Sequence, residues 1–340
     1  MFKKSISIGI IVLFLFCNIS FTTLSDENTC NVSGKTLNKV IYVDDDNVEG
    51  PWHGTEEFPY QFIQDAVDNA SYGGTIFVYN GTYYENLVID KYLELYGENR
   101  ENTIIDGHEK GWVVRVFAQV TISGFTIMSS NDDEYLYNKG LRIKKSDYNR
   151  ISNNIIKDNY YGLYLIDSDY NNISNNIIIN QWFQGILLEH SSYNTIWKNT
   201  IKDNYWGLDV EGGEKNIIVR NFIINNLDGL GVFSANNYFY NNHIWDNERY
   251  DIVIINSINN EFICNNIEDG IDKSKGILFW ESKIISENSD NYWDGNYWGR
   301  SYWFNVRNLP KIIFNLNTFE LDIDWHPAPT KYYFSISGVR

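Results

Sequence analysis

The sequence predicts an all-β chain: a single-stranded, right-handed parallel β-helix in coils of about 22 residues, with a short N-terminal capping helix. Three observations carry this: a repeat with a period near 22, columns of asparagine in register with it, and short apolar-polar alternations between the columns.

The repeat runs from residue 148 to 267 through YNRISNNIIKDNYYGLYLIDS, YNNISNNIIINQWFQGILLEHS, YNTIWKNTIKDNYWGLDVEGG and three further copies. Its leading asparagines are Asn149, Asn171, Asn194, Asn216, Asn237 and Asn260, spaced by 22, 23, 22, 21 and 23. A second column, at 154, 176, 199, 221, 242 and 265, keeps the same spacings. Helical repeats need longer units and a 3.6-residue apolar stripe that no window here supplies; the leucine consensus of leucine-rich repeats is also missing. Runs such as Gly162-Leu163-Tyr164-Leu165 fit strands with the leucines inward. Stacked coils must bend sharply, and the bends leave backbone groups that need partners. Asparagine ladders supply those partners, so these columns read as structural rather than ligand-binding.

The solenoid spans residues 40–283, opening with a strand at 41–43. A short helix over Tyr60 to Ala70 gathers Phe62, Ile63, Ala66, Val67 and Ala70 on one face and caps the stack. A polar, acidic insertion at 129–139 breaks the register and lines a binding face. After residue 283 the repeat fades into NYWDGNYWGRSYW and LDIDWHPAP, an aromatic-rich C-terminal cap over 284–340.

Residues 1–24 read as a signal peptide or N-terminal anchor: Lys3 and Lys4 precede an apolar run from Ile6 to Phe16. The expected location is therefore secreted or cell-surface. With the signal removed, Cys30 and Cys264, far apart in sequence, are the thiols left, and two cysteines cannot build a disulfide framework. A net charge of −17 repels a nucleic-acid backbone, and no Lys/Arg cluster overrides it. It also disfavours polyanionic sugars unless a divalent cation bridges them.

The residues from IYVDDDN through GGTIFVYNGTYYENLVI and LYGENRENTIIDG to the N-x-I-x-x-N coils, with NYWDGNYWG and DWHPAP, resemble NosD-type proteins. These are exported β-helix proteins of the carbohydrate-binding and sugar-hydrolysis group, and the C-terminal motifs resemble its prokaryotic, especially archaeal, members. The resemblance implies the fold and a polysaccharide or cell-surface glycan as partner; it does not fix an activity, because such coils serve enzymes and binders alike. The copper role that gives the family its name calls for Cys, Met and His donors. Two methionines and five scattered histidines form no H-x-H or M-x-x-M cluster here.

Two features carry candidate chemistry. Counting from the glycine that opens each long strand, the second and fourth residues point outward, which sets Glu189 and Glu211 on adjacent coils with Asp209 beside them. Carboxylates at that spacing suit a retaining glycosidase or a lyase, or a Ca²⁺ site; no cofactor is required. Beside them, Tyr160-Tyr161, Trp182-Phe183 and Tyr205-Trp206 recur on three coils. Tyr161, Trp182, Tyr205 and Trp206 are the expected sugar platforms. Non-catalytic glycan binding is the leading expectation; a hydrolase or lyase using Glu189, Asp209 and Glu211, a purely structural surface protein, and the copper-related periplasmic factor that the resemblance implies are the alternatives.

Overall fold

The computed structural model describes residues 40–129, 138–268, 284–287, 290–298, 311–314 and 321–324. The expected signal or anchor, most of the acidic insertion and the WHPAP part of the tail lie outside these residues.

Three parallel sheets wrap one apolar core. The first contains eleven strands, from Ile41–Val43 to Asp290–Asp294. The second contains ten, from Gly81–Tyr84 to Tyr297–Trp298, and the third nine, from Leu87–Ile89 to Ile284–Glu287. One coil shows the logic. Asn172–Ser174 lies in the first sheet, Ile177–Ile179 in the second and Gln184–Glu189 in the third. From these, Ile173, Ile178, Ile186 and Leu188 point inward and are fully buried. The next coil places Ile196, Ile201, Leu208 and Val210 directly on them. Branched side chains at strand-period spacing, stacked every coil, form a continuous column that no coil could bury alone.

Each bend follows one recipe. A residue in the left-handed backbone region precedes a buried amide: Asn175 (φ 55°) before Asn176, Tyr170 (φ 56°) before Asn171. The amide oxygen then accepts two N–H groups from the coil before it. Asn194 Oδ1 takes the Asn171 backbone N–H at 2.8 Å and its Nδ2 at 2.9 Å. In the second column Asn199 Nδ2 also reaches back to the Ile173 carbonyl at 2.9 Å. Both asparagine columns are thus ladders, and both run further than the repeat suggests. Asn291 and Asn296 accept from Asn260 and Asn265, so NYWDGNYWG forms one more coil inside the stack. A third ladder was not foreseen: Asn159, Gln181, Asn204, Asn226 and Asn247 bond in sequence at the remaining bend.

The helix is Ile63–Asn69, shorter than expected. It buries Ile63, Ala66 and Val67, but Phe62 stands at its N-terminus about half exposed. Its first turn is held by Glu85, whose two carboxylate oxygens accept from Ile63 N at 2.7 Å and Gln64 N at 2.8 Å. At the other end Phe239, Phe262 and Trp293 stack inside the core, with ring centroids 4.6 and 4.1 Å apart. The strands Lys311–Phe314 and Leu321–Asp324 pair antiparallel.

Candidate functional site

The third sheet carries the longest strands and turns the candidate residues outward. Its register sets Ile166, Glu189, Glu211 and Phe233 in one column, and Tyr164, Leu187, Asp209 and Gly231 in a second. A third column begins one residue before the glycines: Gln184, Trp206, Asp228 and Tyr250 in succession. Lys139 and Tyr161 pair one step earlier at that position. Members of these columns, joined by Phe183, line a groove of about 440 Å³.

Glu189 and Glu211 stand on adjacent coils, as the spacing requires. Glu189 accepts a short hydrogen bond from the Tyr164 hydroxyl. Glu211 is raised above the usual carboxylate range, first by burial and then by the charge of Glu189; the Gln184 amide and His190 pull the other way. Asp209 differs from expectation. It points outward along its strand yet is only 1% exposed, because it sits between Leu187 and the Gln184 side chain and leans over Gly231. A Cβ at Gly231 would collide with Asp209 Oδ1 and come within 2.7 Å of the Phe233 ring, so glycine leaves room for the carboxyl. Burial, reinforced by Glu211 and Asp228, pushes the Asp209 carboxyl up to about 8, and it is protonated at neutral pH. Gln184 Nε2 donates to Asp209 Oδ2 in a short bond, while Gln184 Oε1 is buried without a protein partner.

The aromatic residues divide. Tyr161 and Trp206 line the groove. Tyr205 belongs to a ladder with Tyr160 and Phe183, at centroid separations of 6.0 and 5.7 Å, and Phe183 is the member that reaches the groove. Trp182 is displaced. Its coil has one extra residue before the glycine, so Phe183 takes the stacking position and Trp182 projects away, 68% exposed and outside the groove lining. Arg249 packs over Trp206, its guanidinium 5.9 Å from the ring centroid, and is anchored by the fully buried carboxylate of Asp228.

Sequence reasoning missed Lys139, Gln184 and Phe233. Lys139 and Gln184 sit one residue before the glycine, a strand position that the count from the glycine onward skips. The Lys139 ammonium lies 4.6 Å from the Tyr161 ring centroid, 5.0 Å from Tyr164 and 5.3 Å from Trp112. Burial and the neighbouring Arg142 depress it to about 8, against the pull of Glu189. Arg142 itself stacks on Trp112 at 4.2 Å. A second exposed stack, Tyr148, Tyr170 and Tyr193, lies on another bend. Its rings are nearly parallel at 5.2 and 4.8 Å, so they cover one another's faces and offer mainly edges to a sugar.

Among the described residues copper donors do not converge: no group of three or more His, Cys, Asp or Glu side chains is placed to hold a metal ion. His243, 4% exposed, stacks on Phe222 and contacts Asn266 at 2.8 Å, which engages its ring structurally. No described helix is long and apolar enough to cross a membrane.

Among solved structures, an alginate lyase from Paenibacillus sp. str. FPU-7 is 13% identical, with a TM-score of 0.44, over 70% of this chain and 95% of its own. Pectate lyase Pel9A is 16% identical with a TM-score of 0.46, over 79% of this chain and 72% of its own. The enzymatically active domain of bacteriophage CBA120 tailspike protein 2 is 14% identical with a TM-score of 0.48, over 69% and 39%. None is similar enough to bring an activity to this chain. No curated protein matches it in sequence. The family model described as "Periplasmic copper-binding protein (NosD)" matches residues 67–302, most of the solenoid, and the chain belongs to the NosD family.

Proposed function

We propose that the chain is an extracytoplasmic glycan-binding protein whose third-sheet groove holds a short stretch of polysaccharide without cleaving it. One observation carries the reading: the groove gathers the rings of Tyr161, Phe183, Trp206 and Phe233 with the polar groups of Gln184, Glu189, Asp209 and Glu211. A pyranose has an apolar face and a hydroxyl-rich edge, and a site for it needs a ring for the one and fixed polar partners for the other. The family's description as periplasmic supports the location.

Binding is favoured over hydrolysis by the state of the acids. Asp209 is buried and bonded to Gln184, and Glu189 is engaged by Tyr164, so two of the three candidate carboxyls are committed to protein partners. Hydrolysis remains the second reading because Glu189 and Glu211 sit one coil apart, about 4.8 Å along the stack, near the separation that retaining glycosidases use. A broad glycan array, run with and without Ca²⁺ and followed by product analysis of positive wells, separates the two. Binding without products supports the proposal. Released oligosaccharides would replace it with the enzyme reading, and silence on every glycan would leave a structural protein.

A further inference from the structure

We infer that the groove selects a glycan bearing free amino groups, one ammonium lying between Glu189 and Glu211 and against the Gln184 carbonyl oxygen. This rests on the glycan-binding reading and narrows it to a chemical class.

The argument starts from what the acidic half of the groove lacks. Gln184 is 5% exposed, lines the groove, and leaves Oε1 without a protein partner. A buried carbonyl oxygen in that state is an acceptor awaiting a donor. The groups near it are acceptors as well: Glu211 on the next coil lies within hydrogen-bond reach of the Gln184 side chain, and Glu189 pairs with Glu211. A ligand that satisfies this cluster must bring several N–H or O–H groups together, and a primary ammonium brings three donors and a positive charge.

Electrostatics points the same way. Glu189 raises the Glu211 carboxyl, which means the pair is repulsive when both are ionised, and a cation between them removes that repulsion. The chain's net charge of −17 draws polycations and repels uronates at long range. The facing charged groups are Lys139, Arg142 and Tyr164 from earlier coils, His190 beside Glu189, and Asp228 with Arg249 from later ones. Of the cations, Lys139 shows that the groove's rings can surround an ammonium: those of Trp112, Tyr161 and Tyr164 lie about it, and Glu189 favours its charge against the opposing effects of burial and Arg142. It lies two coils before Glu189, roughly 10 Å along the axis, leaving the acidic end to the ligand. A preformed Ca²⁺ site fits less well. That ion takes about six to eight oxygens, and the described carboxylates form no three-membered donor group.

Calorimetric titration in mildly acidic buffer, where the sugar amine is charged, tests the inference with three probes: a glucosamine tetramer, its fully N-acetylated counterpart and a galacturonate tetramer, the last with and without Ca²⁺. The glucosamine tetramer is expected to bind at least about tenfold tighter than the others. Glu211→Gln and Glu189→Gln are each expected to weaken it about tenfold with unchanged thermal unfolding, and added salt to weaken it further. Equal affinity for the N-acetylated tetramer, Ca²⁺-dependent binding of the uronate, or indifference to both glutamine variants would overturn it. If the array finds only neutral or acidic glycans, this inference falls and the glycan reading stands. If array and titrations are all silent, the glycan reading itself falls.

Discussion

Gln184 donates its amide to Asp209 across one coil step, anchoring in the wall of the groove an acid that burial keeps protonated against the pull of that bond. The pairing explains how a chain can place a carboxyl on an outward strand position and still bury it. It also ties the groove's chemistry to stability, which several measurements can read.

Asp209 is raised from 3.8 to about 8, so the folded chain keeps a proton that the unfolded chain loses above about pH 4. Between those values the unfolded state binds fewer protons, and stability falls as pH rises, by at most about 1.4 kcal/mol per unit from this group. Asp209→Asn removes that slope while keeping a side chain able to bond Gln184. Urea unfolding of both proteins from pH 5 to 7.5 is expected to show the variant gaining on the wild type as pH rises; parallel curves would mean Asp209 is ionised.

Gly231 is expected to be intolerant of even one methyl because of Asp209. Gly231→Ala should destabilise by about 2 kcal/mol, the usual scale of overpacking, and by clearly less when Asp209 is already alanine. A double-mutant cycle by denaturant unfolding reads this coupling, and strict additivity would contradict the contact.

The ladders should dominate stability. Asn199→Ala leaves Asn176 N, Asn176 Nδ2 and the Ile173 carbonyl without a partner that Asn199 now supplies, an expected loss of about 3 kcal/mol or more. Asn180→Gly, at an exposed left-handed position, is expected to change unfolding by less than about 1 kcal/mol.

Trp206 and Trp182 make a matched pair for binding. Trp206→Ala removes a groove ring and should weaken a bound oligosaccharide about tenfold or more. Trp182→Ala removes a larger exposed area outside the groove lining and should leave affinity within about twofold. Equal losses would return Trp182 to the site.

These contrasts show where the sequence is legible. Period and asparagine columns identify the coil because every bend needs the same amide, and the Glu189–Glu211 adjacency follows from the register they set. The third ladder keeps the same spacings as the other two columns and was hidden only because Gln181 stands where asparagine would. Trp182 stands apart from the groove for a related reason: one extra residue before Gly185 moves Phe183 into the stack, and a coil of 23 residues does not reveal which residue it will push out. Alternation gave Asp209 its outward direction, but its depth depends on Gln184 and Gly231 in neighbouring coils, a relation that one strand's pattern cannot carry. The NYWDGNYWG coil was legible in principle, since Asn291 and Asn296 repeat the five-residue offset of the two columns.

The central claim, that the outward face of the third sheet is the glycan site, is tested most directly by hydrogen–deuterium exchange with and without a saturating array-positive oligosaccharide. Protection concentrated in Gln184–Glu189 and Trp206–Glu211, and lost in Trp206→Ala, is the expected result. Protection centred instead on the Tyr148, Tyr170 and Tyr193 bend, or elsewhere on the solenoid, would contradict it.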